Sequence, residues 1–156
     1  QFARWSLELD KPPFTFFHAV VWDKMGLGMG WRYRRNYELI LVAHRRGGKL
    51  KWEWKGSGIE TGNVVRLPNE HACGMWKGGH PADKPVALIE HFLRLHTKPG
   101  DLVLDPFAGG GTTGVACKRL GRLFLGFEVD PVWCEYANQR LGITEAHVDL
   151  SLWSGA

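Results

Sequence analysis

Leu102-Val-Leu-Asp-Pro-Phe-Ala-Gly-Gly-Gly-Thr-Thr-Gly114, then a helical segment, then Leu123-Phe-Leu-Gly-Phe-Glu128: this stretch of the 156-residue chain decides the fold. It reads as strand, glycine loop, helix, strand. Leu102, Val103 and Leu104 form a short apolar run suited to a buried parallel sheet, and Asp105-Pro106 ends it because proline cannot continue a central ladder. Gly109, Gly110 and Gly111 let the backbone turn sharply and approach a ligand closely. The helix from about Thr112 stops at Gly121, a residue suited to a left-handed C-terminal position, and Leu123 to Phe127 is the next apolar strand. A right-handed crossover opens both strand ends onto one edge of the sheet, so the loop and Glu128 face one crevice.

Such a crevice suits a nucleoside, with loop N–H groups binding the polar part of a ligand and the carboxylate accepting from ribose hydroxyls. Gly109-x-Gly111-x-x-Gly114 with Glu128 about 20 residues on fits that fingerprint. A glycine-rich turn in any doubly wound protein is the plain alternative. A phosphate loop for ATP is disfavoured, because no Gly-Lys-Ser/Thr follows the glycines.

The wording of the loop narrows the choice. Asp105-Pro106-Phe107-x-Gly-x-Gly-Thr112-Thr113 resembles the S-adenosylmethionine loop of DNA methyltransferases that act on exocyclic amino groups of adenine or cytosine. Glu128 matches the acid closing that family's next strand, and His80-Pro81-Ala82-Asp83-Lys84-Pro85 matches its His-Pro-x-x-Lys-Pro box. The resemblance covers roughly residues 20–141 and is of the type with the cofactor motif C-terminal to the catalytic region. It implies an α/β fold with a Rossmann-like methyltransferase sheet and a β-hairpin, and S-adenosylmethionine as cofactor. Gly109, Gly111, Thr112 and Thr113 would lie at the cofactor's amino-acid moiety near Asp105 and Phe107, Glu128 at its ribose, and Lys84 and Pro85 at its methionine end. A nicotinamide-dependent oxidoreductase is the rival enzyme reading, and a non-catalytic DNA- or cofactor-binding module is a second rival.

The length fits one domain, residues 1–156. Within it the resemblance implies catalytic-side strands and a DNA-facing loop over 15–55, a short recognition loop over 56–79, and the S-adenosylmethionine-binding half over 80–142. No run of about 18 apolar residues is present, and the amino end lacks a signal pattern. Cys73, Cys117 and Cys134 make no CxxC pair, which fits a reducing cytosol, so a cytoplasmic protein of prokaryotic or phage type is expected. His71, Cys73 and His80 match no usual zinc spacing, and no metal is assigned.

The net charge is +4, and the basic residues cluster. Arg32, Arg34, Arg35, Arg45 and Arg46, with Lys49, Lys51 and Lys55, are opposed mainly by Glu38 and Glu53, as a surface for double-stranded DNA requires. A solvated face is the alternative. Trp22-x-Lys24, the glycine loop from Met25, and the aromatic-Glu pair Tyr37-Glu38 also look like the family, which makes residues 25–35 the segment lying over DNA.

Elsewhere, Gln1 to Leu9 is expected to be a helix packing Phe2, Trp5 and Leu9, with Phe16 to Trp22 and Tyr37 to Ala43 as strands. Arg46-Gly47-Gly48-Lys49 would turn a hairpin into an alternating strand over 49–54, whose Trp52 and Trp54 share a face at a sheet edge or stack on a base. Asn63 to Leu67 is a candidate short strand, Val86 to His96 an amphipathic helix, and Asp130-Pro131 starts a helix ending at Gly142.

One part is missing. The family holds the target amine with Asp-Pro-Pro-Tyr or a close relative, on a strand between the cofactor strand and the strand ending at Trp22. This chain offers only Asp10-Lys11-Pro12-Pro13-Phe14, which carries an inserted lysine and lies ahead of the wrong strand, so no catalytic residue is assigned. Without that strand the sheet should be split. Either an amino-terminal piece absent from this sequence completes it, which is the favoured reading, or a second chain or homodimer does, or the fold is closed differently.

Overall fold

The computed structural model describes residues 2–28, 31–56, 58–69 and 82–143. Helix α1 (Phe2–Leu9) leads into strand β1 (Phe14–Asp23), which pairs antiparallel with β2 (Tyr37–Arg45) from Phe14↔Arg45 to Asp23↔Tyr37, with a register shift between Phe16 and His18. Strand β3 (Val64–Arg66) runs parallel to β1 on its other side, giving the order β2-β1-β3. Helix α2 (Val86–His96) follows, then β4 (Leu102–Asp105), helix α3 (Thr112–Leu120), β5 (Leu123–Gly126) and helix α4 (Pro131–Leu141). Strands β4 and β5 form a separate two-stranded parallel sheet, Leu102↔Leu123 to Asp105↔Gly126, with α3 as the crossover. The sheet is split, as expected of a methyltransferase sheet lacking one strand.

Helix α2 ties the halves together because its apolar stripe is wide enough to serve two cores. Leu88 packs with Trp22 and Val65, against Val20, Ile40 and Phe92. Leu93, just over one turn on, packs with Ala116 and Cys117 of α3, against Val103 of β4 and Phe124 of β5. Burial pushes the Cys117 thiol pKa up, consistent with a packing role. The opposite face of the small sheet is uncovered: Leu102, Leu104 and Leu123 are 56–59% exposed.

Two expectations need correction. Residues 49–54 form no strand and pair with none among the described residues. Instead the segment lies along the end of α2, where carbonyls lack helical partners: the Glu53 N–H donates to the Leu95 carbonyl at 2.7 Å, and the His96 ring nitrogen lies 2.8 Å from the Lys51 carbonyl. Trp52 meets the His96 ring edge-on, whereas the Trp54 indole lies over Gly56, so the two tryptophans part. The first helix forms, with Phe2 in an edge contact with Phe16 and Leu9 half-buried, but Trp5 is 59% exposed.

Candidate functional site

The glycine loop is fixed from both strand ends. Asp105 closes β4, and its carboxylate accepts from the Phe107 N–H at 3.0 Å and from the Thr113 hydroxyl at 2.7 Å. Glu128 follows β5, and its two oxygens accept from the Gly109 N–H at 2.8 Å and the Asp130 N–H at 2.9 Å. Gly109 and Gly111 have φ of +51° and +76°, where a side chain is strained. Asp105 and Thr113, and Gly109 and Glu128, are therefore tied together at the carboxyl ends of β4 and β5, with Gly111 and Thr112 between them in the chain. Phe107 is 87% exposed.

The start of α3 has the donor chemistry for an anion. Gly111 occupies its N-cap position with no side-chain cap, and no acidic residue lies in the first turn. The first N–H groups of a helix have no intrahelical acceptors, and the dipole favours negative charge there. Helix α4, by contrast, is capped by Asp130, whose carboxylate accepts from the Val132 N–H.

A clasp that sequence reasoning missed holds this loop from behind. Arg140, in the last turn of α4, donates from Nη1 to Asp83 at 3.1 Å and to the Gly110 carbonyl, and lies 3.5 Å from the Thr112 hydroxyl. The Asp83 side chain is 8% exposed, and its carboxylate lies so close to Gly110 that a Cβ there would meet it at 2.6 Å. The partners are 57 residues apart, so no local spacing could have revealed them.

Lys84 goes elsewhere. Its ammonium sits 3.1 Å from Glu38 of β2 and over the Trp22 ring, while Lys24 approaches Glu38 at 3.4 Å. Pro85 is buried at the N-cap of α2. The dipeptide Asp83-Lys84 thus joins the loop after β4 to the carboxyl end of β1. Partial burial raises the Glu38 pKa, but the hydrogen bonds and charges of Lys84 and Lys24 outweigh it, and the net shift is downward. A depressed folded pKa stabilises above the unfolded value, here 4.5, and that contribution vanishes as pH falls through the folded value. Wild type should therefore melt above Glu38→Gln at neutral pH, and the gap should close in acid. A gap that persists in acid would show that the pair is not what Glu38 contributes.

The basic residues divide. Arg32, Arg34 and Arg35 lie on the loop joining β1 to β2, beyond the carboxyl end of β1. Arg45 and Arg46 lie at the far end of β2, about 27 Å away at the usual rise per residue. There Arg46 donates to the Asp10 carbonyl, and the Asp10 carboxylate accepts from the Phe16 N–H. Asp10 to Phe14 therefore sits at the amino end of β1, away from the crevice. Lys51 is paired with Asp101 and Glu53. His71, Cys73, His80 and Pro81 lie outside the described residues; among the described residues no metal-binding cluster of His, Cys, Asp or Glu is found, and no helix is long and apolar enough to cross a membrane.

A βαβ crossover with a glycine loop on one strand end and an acid on the next defines a nucleoside-binding α/β protein. Comparison with known proteins specifies it: residues 4–139 match the model of the N6_N4_Mtase family, DNA methylase, and the chain belongs to that family. It is 39% identical over 110 residues to the type II methyltransferase M2.DpnII of Streptococcus pneumoniae, covering 70% of this chain and 37% of that protein. It is 36% identical over 110 residues to M2.LlaDCHI of Lactococcus lactis subsp. cremoris, covering 70% and 36%. The chain thus spans little more than a third of the length of these curated relatives. Among solved structures, the M1.HpyAVI–SAM complex superposes with a TM-score of 0.72 at 29% identity, over 90% of this chain and 69% of that one.

Proposed function

We propose that this chain is the S-adenosylmethionine-binding part of a DNA methyltransferase that methylates the exocyclic amino group of adenine. The observation that supports the cofactor site is the hydrogen bond by which Glu128, just past β5, accepts from Gly109 in the loop after β4. The uncapped start of α3, with Gly111 and Thr112, takes the cofactor's carboxylate, and Glu128 takes the ribose hydroxyls. Asp105 and Thr113 hold the loop, while Lys84 and Pro85 form the wall towards β1. The cofactor supplies an electrophilic sulfonium methyl group. Arg32 and Arg35 are assigned to phosphates, and residues 56–79 to a short recognition segment. The acceptor for the amine protons is assigned to a strand that these 156 residues do not contain.

Adenine is preferred to cytosine on family resemblance. Methyl transfer from labelled S-adenosylmethionine to unmethylated DNA, with product nucleosides identified by mass, tests the reading. Transfer only when a chain carrying the tetrapeptide is added is the expected result, with methyladenine as the product. Methylcytosine would move the target to the cytosine amine. Glu128→Ala should weaken S-adenosylmethionine binding about tenfold or more, since a charge-assisted hydrogen bond contributes roughly 1.5–3 kcal/mol. Unchanged affinity by calorimetry would remove the ribose assignment.

A further inference from the structure

The loop between β1 and β2 is closed at its base. The Lys24 N–H donates to the Asn36 carbonyl at 2.7 Å, the Gly28 N–H to the Arg35 carbonyl at 2.9 Å, and Arg34 Nε to the Gly28 carbonyl at 2.7 Å. Gly28 is held so close to the Arg35 carbonyl that a Cβ would collide with it. On this frame Trp31 is 88% exposed and Tyr33 fully so. Tyr33 also has a φ of +50°, a strained backbone for an aromatic residue. Arg32 and Arg35 lie within two residues of these rings, and Arg34 is spent on the frame.

Two large rings held in water, interleaved with arginines, form a surface with a stated chemistry: the cations meet phosphates and the rings meet base faces. The loop also leaves the carboxyl end of β1, the end where Lys84 lies over Trp22 and where Asp83 reaches the glycine loop. A base whose amine is to be methylated must leave its stack, which exposes the faces of its neighbours.

We propose that Trp31 and Tyr33 are base-stacking residues that enter DNA where a base has left the helix, while Arg32 and Arg35 hold the flanking phosphates. This rests on the DNA-methyltransferase reading. The test compares binding of the 156-residue chain to a mixed-sequence duplex and to the same duplex with one adenine left unpaired at its centre. Wild type should prefer the second duplex. Trp31→Ala, and Tyr33→Asn, which tolerates the left-handed backbone, should each lose about five- to a hundredfold in affinity for it with an unchanged salt slope. Trp31→Phe should keep most of the preference. Arg32→Ala should instead weaken both duplexes alike and flatten the salt slope by about 0.9 for the lost phosphate. Equal binding of both duplexes by wild type, or a preference that survives loss of both rings, would overturn the stacking role and leave the DNA reading standing. No binding of either duplex would overturn the DNA reading, and the stacking role with it.

Discussion

Arg140→Ala should cost about 3 kcal/mol of stability, because it leaves a buried carboxylate without its counter-charge. The Asp83 side chain is only 8% exposed, and the guanidinium that reaches it also lies over the Tyr136 ring, 5.5 Å from its centroid. The same group takes the Gly110 carbonyl, so its removal frees the glycine loop as well as the ion pair. Urea unfolding should show a lower midpoint at an unchanged slope, and S-adenosylmethionine binding should weaken in the folded protein. Arg140→Lys should recover part of the stability but little of the loop geometry, since an ammonium cannot reproduce the planar fork. Removing both charges, as Asp83→Ala with Arg140→Ala, should cost less than the sum of the single changes. A loss below about 1 kcal/mol for Arg140→Ala would mean that water screens the pair as it would at the surface.

Trp22→Ala should cost a similar or larger amount, about 3–5 kcal/mol, by emptying the centre of the first core. The indole is 1% exposed and packs with Val65 and Leu88, and its N–H donates to the Leu67 carbonyl at 2.9 Å. It therefore holds three-residue β3 against β1 through both packing and a hydrogen bond. Trp22→Phe should retain much of the packing but strand the Leu67 carbonyl, at about 1–3 kcal/mol. Thermal unfolding of the two variants separates the contributions; equal losses would assign the whole effect to the hydrogen bond. Because Lys84 also lies over this ring, either change should loosen the wall between β1 and the glycine loop.

What was legible in the sequence was what local chemistry dictates. The β4-loop-α3-β5 unit, the Asp130 cap, and the left-handed glycines at Gly121 and Gly142 all follow from near neighbours along the chain. Residues 49–54 misled because strict alternation reports a half-buried extended segment without naming its partner, and here the partner is the end of a helix. The exposure of Trp5 was missed for the same reason, since amphipathic spacing marks a face without saying what covers it. The glycine loop could be placed in advance, but not the Asp83–Arg140 pair beside it or the diversion of Lys84 to Glu38, because both depend on distant segments. The basic run looked continuous in sequence, yet a single strand carries its members to opposite ends of a sheet.

The sharing of α2 between two cores has a consequence for how the molecule holds together. All three strands of one sheet precede the helix and both strands of the other follow it, so each half is built from contiguous chain. Cooperativity between them passes largely through one element, with Leu88 on one side and Leu93 on the other. Opening events that leave α2 seated would unfasten one half at a time, while loss of α2 would release both.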